Sequence, residues 1–298
     1  MKRRRADLAL LGNTVIWGAT FTLVKVAIRN VSPMLFLALR FSLATAVLGA
    51  FFRFRPRKAA APAPRGRDAR WWPGCLTGSF LFSGYVLQTQ GLRFTTAPKS
   101  AFLTGLASVM VPLLGALVYR NRPQVSEVVG VLVATAGLGL MTLESSVGWM
   151  SRGDLLTLLG AFGFAAHIVA LGHFSEHMSF ESLSVLQVGS SAVLALIFCG
   201  WVERPHAEWR PVVVCAILIT GFLATALAFT VQAWAQQFTT ATRTALIYML
   251  EPVFAWLTSY VLVGENLSGR AAVGAVLILG GVMLVEMKPL YPRLHPSE

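Results

Sequence analysis

The stretch Phe94–Pro112, "FTTAPKSAFLTGLASVMVP", returns 144 residues later as Phe238–Pro252, "FTTATRTALIYMLEP". Each copy opens an apolar segment with a cation, Lys99 or Arg243, and runs on to a proline. A period of that length exceeds any solenoid unit, so it indicates two copies of a whole subdomain. The same offset relates Gln88 to Gln232, Ser100 to Thr244, Gly130 to Gly274 and Gly137 to Gly281. Further upstream, Asp7 matches Asp154, Trp17 matches Phe164 and Thr20 matches His167, at an offset of 147. The fourth apolar run carries four more residues before its proline than the ninth, about one helical turn.

Composition identifies the solvent around these copies. Of 298 residues, 55% are hydrophobic and only 13% charged, with a mean hydropathy of +0.65. That leaves too little polar surface to cover a water-soluble globule, so the chain is expected to lie in a membrane. Ten apolar runs follow at about 7–28, 33–52, 73–92, 98–119, 125–143, 154–173, 182–201, 210–232, 240–263 and 269–286. Each approaches the roughly 20 residues that a helix needs to cross the hydrocarbon. A transmembrane barrel would show ~10-residue alternating segments instead. The expected fold is an all-α integral membrane protein with ten transmembrane helices. Five spans per copy is an odd number, so the second copy must enter from the opposite side and the repeats are inverted. The expected units are residues 1–146, with a cytoplasmic loop at about 53–72, and residues 147–298.

The net charge of +12 is distributed as membrane topology requires, and no nucleic-acid partner is expected. With a cytoplasmic N-terminus, 16 Lys and Arg fall inside, including Lys2, Arg3, Arg4, Arg5 and seven between Arg53 and Arg70. Seven fall outside, and Lys25 and Arg40 lie within spans. This bias predicts both termini in the cytoplasm. The opening "MKRRRADLALLGNTVIWGATF" reads as a retained first span, because its apolar run is long and lacks a small-residue cleavage site. Cys75, Cys199 and Cys215 are odd in number and fall in spans, which predicts buried thiols and no disulfide framework.

Several motifs together resemble one family. They are "WGATFTLVK" in the first span, "LALRF" in the second, "TAPKSAFLTGLASVMVPLL" in the fourth, and "TTATRTALIYMLEPVFAWLTSYVLVGENLSGRAAVGAVLILGGVML" at the end. These resemble the EamA-type branch of the drug/metabolite transporter superfamily, over almost the whole chain. The resemblance implies two inverted five-helix halves and transport of small metabolites, commonly export. Relatives of known structure include exporters of aromatic and other neutral amino acids. In the first half the usual glycine and glutamate near "YRNRPQ" are missing.

The candidate site residues follow from what a bilayer tolerates. Glu251 is the one carboxylate placed deep inside a span. A charged acid there costs about 3 kcal/mol on insertion scales, so it should face the protein interior. It is the candidate for proton coupling, or else it bonds the backbone freed by Pro252. Lys99 and Arg243 begin their helices, where the dipole favours an anion; snorkelling to headgroups is the alternative. Ser83, Tyr85, Gln88, Thr89 and Gln90 in the third span, and Thr225, Thr230, Gln232, Trp234, Gln236 and Gln237 in the eighth, are denser in polar and aromatic groups than packing in lipid requires. They are expected to line a cavity, with Trp17, His167 and Tyr248 adjoining it. Small residues allow close helix packing, so Gly130, Gly137, Gly274 and Gly281 predict a seam between the fifth and tenth spans.

"HFSEH" at His173–His177 spells a zinc-protease pattern, but without an evident third ligand it predicts a solvated helix end. No phosphate-cradling loop, metal, cofactor or catalytic residue is expected. The expected protein is a secondary transporter, not an enzyme, exporting small metabolites such as aromatic or neutral amino acids by alternating access; the alternatives are an exchanger of phosphorylated sugars or nucleotide-sugars and, behind it, a non-transporting integral-membrane enzyme or scaffold. Its expected partners are a small-molecule substrate and membrane lipid. Ten spans suffice for a monomer. Arginine outnumbers lysine 20 to 5, which points to a GC-rich bacterial genome; the expected location of such a transporter is the bacterial inner membrane.

Overall fold

The computed structural model describes residues 1–54, 71–95, 97–120, 124–142, 151–263 and 268–286. Ten helical spans are present among the described residues, in an all-α fold. Six are long and apolar enough to cross a membrane by length and composition alone. The other four depart for local reasons. The fifth and tenth are short, Val125–Thr142 and Gly269–Glu286. The third, Trp72–Gly91, carries Gln88, Thr89 and Gln90. The ninth is split into Ala241–Tyr248 and Glu251–Val263.

Turn chemistry sets the span boundaries. Ser151 and Asp154 form a reciprocal capping box at the start of the sixth span, Arg152–Ser175. Ser179 caps the seventh, Phe180–Val202, and Thr240 caps the ninth by accepting from the Arg243 amide at 3.2 Å. Pro211 opens the eighth span at a position where its missing N–H costs nothing.

The two repeats run in opposite directions. At the end of the bundle that carries the N-terminus, Arg243 makes a two-point pair with Asp7, its Nε and Nη2 at 3.2 and 3.0 Å from the carboxylate. The same end joins Gln236 to the Ile168 carbonyl at 2.9 Å and Ser175 to the Gln236 carbonyl at 3.1 Å. At the opposite end, the Lys25 ammonium donates to the carbonyls of Leu92 and Thr95, where the third span terminates. There too Glu203 accepts from the Met34 amide at 2.6 Å and from Gln90 at 3.2 Å, and the Thr95 hydroxyl reaches Asp154. The twin stretches that open at Phe94 and Phe238 therefore sit at opposite ends, which is what inversion requires.

Glycines bring the spans together. A Cβ on Gly137 would lie 2.6 Å from the Gly274 carbonyl oxygen, and one on Gly281 would lie 2.6 Å from that of Gly130. The fifth and tenth spans thus meet antiparallel along the expected glycines. Cys199 is buried, but Cys75 is only half-buried and Cys215 is exposed. The expectation of three buried thiols is corrected there: Cys215 lies on the outer face of the bundle.

A cavity between the inverted halves

Two helix breaks meet at the centre of the molecule. The fourth span is interrupted at Leu106, between Ala97–Gly105 and Ala107–Tyr119. The ninth is interrupted at Met249 and Leu250. Leu106 and Leu250 are equivalent positions of the repeat. Pro112 and Pro252 are not equivalent in structure. Pro252 follows the break, in the first turn of its half-helix, whereas Pro112 lies inside the helix beyond the break.

A third irregularity completes the centre. The eighth span passes through a π-helical turn, Phe222–Leu227. Such a turn loosens the i→i−4 ladder and frees carbonyls for other donors. The Ala224 carbonyl accepts from the Trp17 indole at 2.9 Å and from Arg40 Nη2 at 3.1 Å. Just beyond the turn, the Ala228 carbonyl accepts from Asn13 at 2.8 Å. Close approach of the first span to the break in the ninth depends on Gly18, where a Cβ would lie 2.7 Å from the Glu251 carbonyl oxygen.

These elements enclose a cavity of about 130 Å³. An apolar cavity of ~150 Å³ takes up benzene, so the space suits a small amphipathic molecule. Trp17, Tyr85, Gln88, His167, Gln232, Tyr248 and Glu251 line it, together with Thr20, Arg40, Thr104, Phe164 and Phe229. Its aromatic wall is continuous. The Trp17 ring lies 4.8 Å from Tyr248 and 5.5 Å from Phe229, while Tyr85 lies 5.1 Å from Phe164 and 6.1 Å from Phe229.

The polar groups are held in defined orientations. Gln88 donates to Thr104 at 2.9 Å. His167 and Gln187 meet at 2.8 Å, and the Gln187 amide nitrogen donates to the Phe229 carbonyl at 3.4 Å. The Gln187 oxygen therefore faces the ring, so His167 Nε2 donates to it. Gln232 donates to Gln236 at 3.1 Å, but its own Oε1 is buried with no partner. Glu251 is the first residue of a half-helix, where the dipole favours its carboxylate. It makes no hydrogen bond to the backbone near Pro252 among the described residues.

Two of the ten candidates, Trp234 and Arg243, do not line the cavity, and a third, Lys99, has its side chain outside the described residues. Trp234 packs on Phe238, 5.5 Å away, toward the N-terminal end. Arg243 is engaged by Asp7, so it neither faces the cavity nor reaches out to headgroups. Lys99 lies in the helix that begins at Ala97, at the opposite end, and its side chain is outside the described residues. Of the other polar groups expected on the wall, Gln90 binds Glu203, Gln237 binds the Met178 carbonyl, and Ser83 and Thr230 bond back to their own helices. At the N-terminal end of the bundle, the rings of His173 and His177 lie 5.8 Å apart, tilted to one another. No third His, Cys, Asp or Glu joins them among the described residues.

Arg40 is the cavity-lining charge that the candidates omitted. It is 3% exposed and sits over the Tyr85 ring at 4.6 Å. The available signal was a lone arginine inside an apolar span, which the bilayer rarely tolerates without a role.

The model of the EamA-like transporter family matches this chain twice, over residues 4–143 and 151–287. The chain belongs to the EamA-like transporter family. An uncharacterized transporter of Archaeoglobus fulgidus is 33% identical, over 97% of this chain and 88% of that protein. A protein of Salmonella typhimurium named "Probable amino-acid metabolite efflux pump" is 26% identical, over 95% of each chain. One of the same name from Escherichia coli is 25% identical, also over 95% of each. A crystal structure with 20% identity superposes with a TM-score of 0.76, over 94% of this chain and 96% of the other, which supports the fold alone. This EamA-like protein is a multi-pass membrane transporter rather than an enzyme.

Proposed function

We propose that the protein exports amino acids or closely related small metabolites by alternating access. The proposed site is the cavity between its inverted halves. The observation that carries this reading is the cavity itself: it lies at the two helix breaks, is lined by both repeats, and combines an aromatic wall with a few oriented polar groups. Broken helices at a repeat interface are how secondary transporters build a site that either side can reach. The names of two relatives, each an amino-acid metabolite efflux pump, support the substrate class. The proposed setting is a bacterial inner membrane, with both termini cytoplasmic, one chain acting as a monomer in lipid, and no nucleic-acid partner. Exchange of phosphorylated sugars is the weaker reading, because Arg243, one of the two cations it would need, is already neutralised by Asp7.

Counterflow in proteoliposomes tests the proposal. Liposomes holding the purified chain are loaded with one candidate substrate and offered a labelled one, across amino acids, nucleosides, sugar phosphates and drugs. Amino acids are expected to exchange. Folded protein that exchanges none of them, or prefers sugar phosphates, would overturn the reading.

A further inference from the structure

Two ionisable groups of opposite type share the cavity without pairing with each other. Arg40, on the second span, and Glu251, on the ninth, both line it, and no ion pair joins them among the described residues. All described partners of Arg40 are neutral. Its Nε donates to the Thr225 hydroxyl at 2.6 Å, and its Nη2 donates to the Tyr85 hydroxyl and the Ala224 carbonyl, both at 3.1 Å. Its Nη1 has no partner among the described residues, and neither has the Glu251 carboxylate. Arg40, Tyr85 and Glu251 all lie on the wall of this one cavity.

Such an arrangement is costly when the cavity is empty. An uncompensated ion inside the low-dielectric interior costs several kcal/mol, and the cost is recovered only when an opposite charge arrives with good hydrogen-bond geometry. A cation would relieve Glu251 and add to the burden at Arg40. An anion would do the reverse. A small molecule carrying one charge of each sign relieves both. A second observation points the same way. Gln232 is 1% exposed, its amide nitrogen is committed to Gln236, and its orphaned Oε1 can only accept a hydrogen. The wall thus offers one more acceptor for a donor-bearing group.

We propose that the transported molecule is bound as a zwitterion, its carboxylate on Arg40 Nη1 and its ammonium on Glu251, with Gln232 Oε1 as a further acceptor. Its side chain lies against Trp17, Phe229 and Tyr248. This deepens the amino-acid reading and rests on it. Selectivity then comes from needing both charges at once, because either half-substrate leaves one buried ion without compensation.

The test is competition in the counterflow assay, with the full chain and labelled phenylalanine. Three unlabelled competitors share one aromatic group: phenylalanine, phenethylamine without the carboxylate, and 3-phenylpropanoate without the ammonium. Phenylalanine is expected to compete at concentrations at least about tenfold lower than either analogue, since each lacks one charged hydrogen bond. Glu251→Gln should remove the advantage of phenylalanine over 3-phenylpropanoate, and Arg40→Gln its advantage over phenethylamine. Because Arg40→Gln also releases the π-helical turn, Thr225→Val is the control; it loosens the same turn, keeps the charge and should keep the preference. Equal competition by either analogue on the wild-type chain, or an unchanged preference in Glu251→Gln, would overturn the zwitterion site while leaving amino-acid export standing. Absence of exchange by every amino acid would overturn the proposed function and this inference with it.

Discussion

The fourth and ninth spans begin with nearly the same words and break at the same place, yet they contribute different chemistry. At the break, the fourth carries Thr104, Gly105, Leu106 and Ala107, and the ninth carries Tyr248, Met249, Leu250 and Glu251. Duplication has kept the interruption, which both halves need if helix ends are to reach the centre. It has not kept the acid, which only one half supplies. The scaffold is symmetric and the site is not, so substitutions at equivalent scaffold positions should act alike and those at equivalent site positions should not.

The largest effect is expected where the symmetry is structural. Gly137 and Gly281 are repeat equivalents, and each faces a carbonyl oxygen that a Cβ would approach to 2.6 Å. Valine at either should destabilise the fold by about 3 kcal/mol, the upper end for overpacking, and by similar amounts. Gly280, with no neighbour within 4 Å, should tolerate alanine or gain up to about 1 kcal/mol from it. Thermal unfolding in detergent measures all three. Unequal losses at Gly137 and Gly281 would break the symmetry of the seam.

The site should behave in the opposite way. Glu251→Ala is expected to lower counterflow at least about tenfold. Adding Ala107→Glu, the equivalent position of the other half, should not restore it: Ala107 borders the cavity, but it is 6% exposed and packed among Val111, Ala161 and Ala165, so a carboxylate there has no room to take the place of Glu251. Rescue would show that either repeat can carry the acid. A smaller effect attaches to the ion pair at the N-terminal end, whose side chains are 11% and 16% exposed. Asp7→Asn and Arg243→Gln should each cost about 1–3 kcal/mol, and the double variant less than the sum. The smallest effect is expected at Trp234. Phenylalanine there should leave counterflow within about twofold, whereas Trp17→Phe, which loses the bond to the Ala224 carbonyl, should reduce it several-fold.

The number of spans and the inversion could be read from apolar run lengths and from the repeated stretch, because both depend on the bilayer and on chain direction, not on packing. The glycine seam was legible for the same reason: residues seven apart share a helix face wherever the partner lies. The breaks were less so. Pro252 marked the one in the ninth span, but Leu106 has only the single Gly105 beside it and no proline before Pro112, and "FLATAL" at 222–227 looks like ordinary apolar helix although it winds as a π turn. The site was half legible. A list of polar residues cannot tell which of them share a face, so Gln88 and Gln232 were grouped with Gln90 and Gln237, whose amides are used elsewhere. Arg40 was visible as a charge inside a span, but its place on the wall depends on a carbonyl freed 184 residues away.

The most direct test of inverted halves is the sidedness of two equivalent residues. Phe94→Cys and Phe238→Cys would be placed singly in a chain whose three native cysteines are alanine, and intact cells treated with a membrane-impermeant maleimide. Residue 94 should react at once and residue 238 only after the membrane is permeabilised. Reaction of both from the same side would contradict the account.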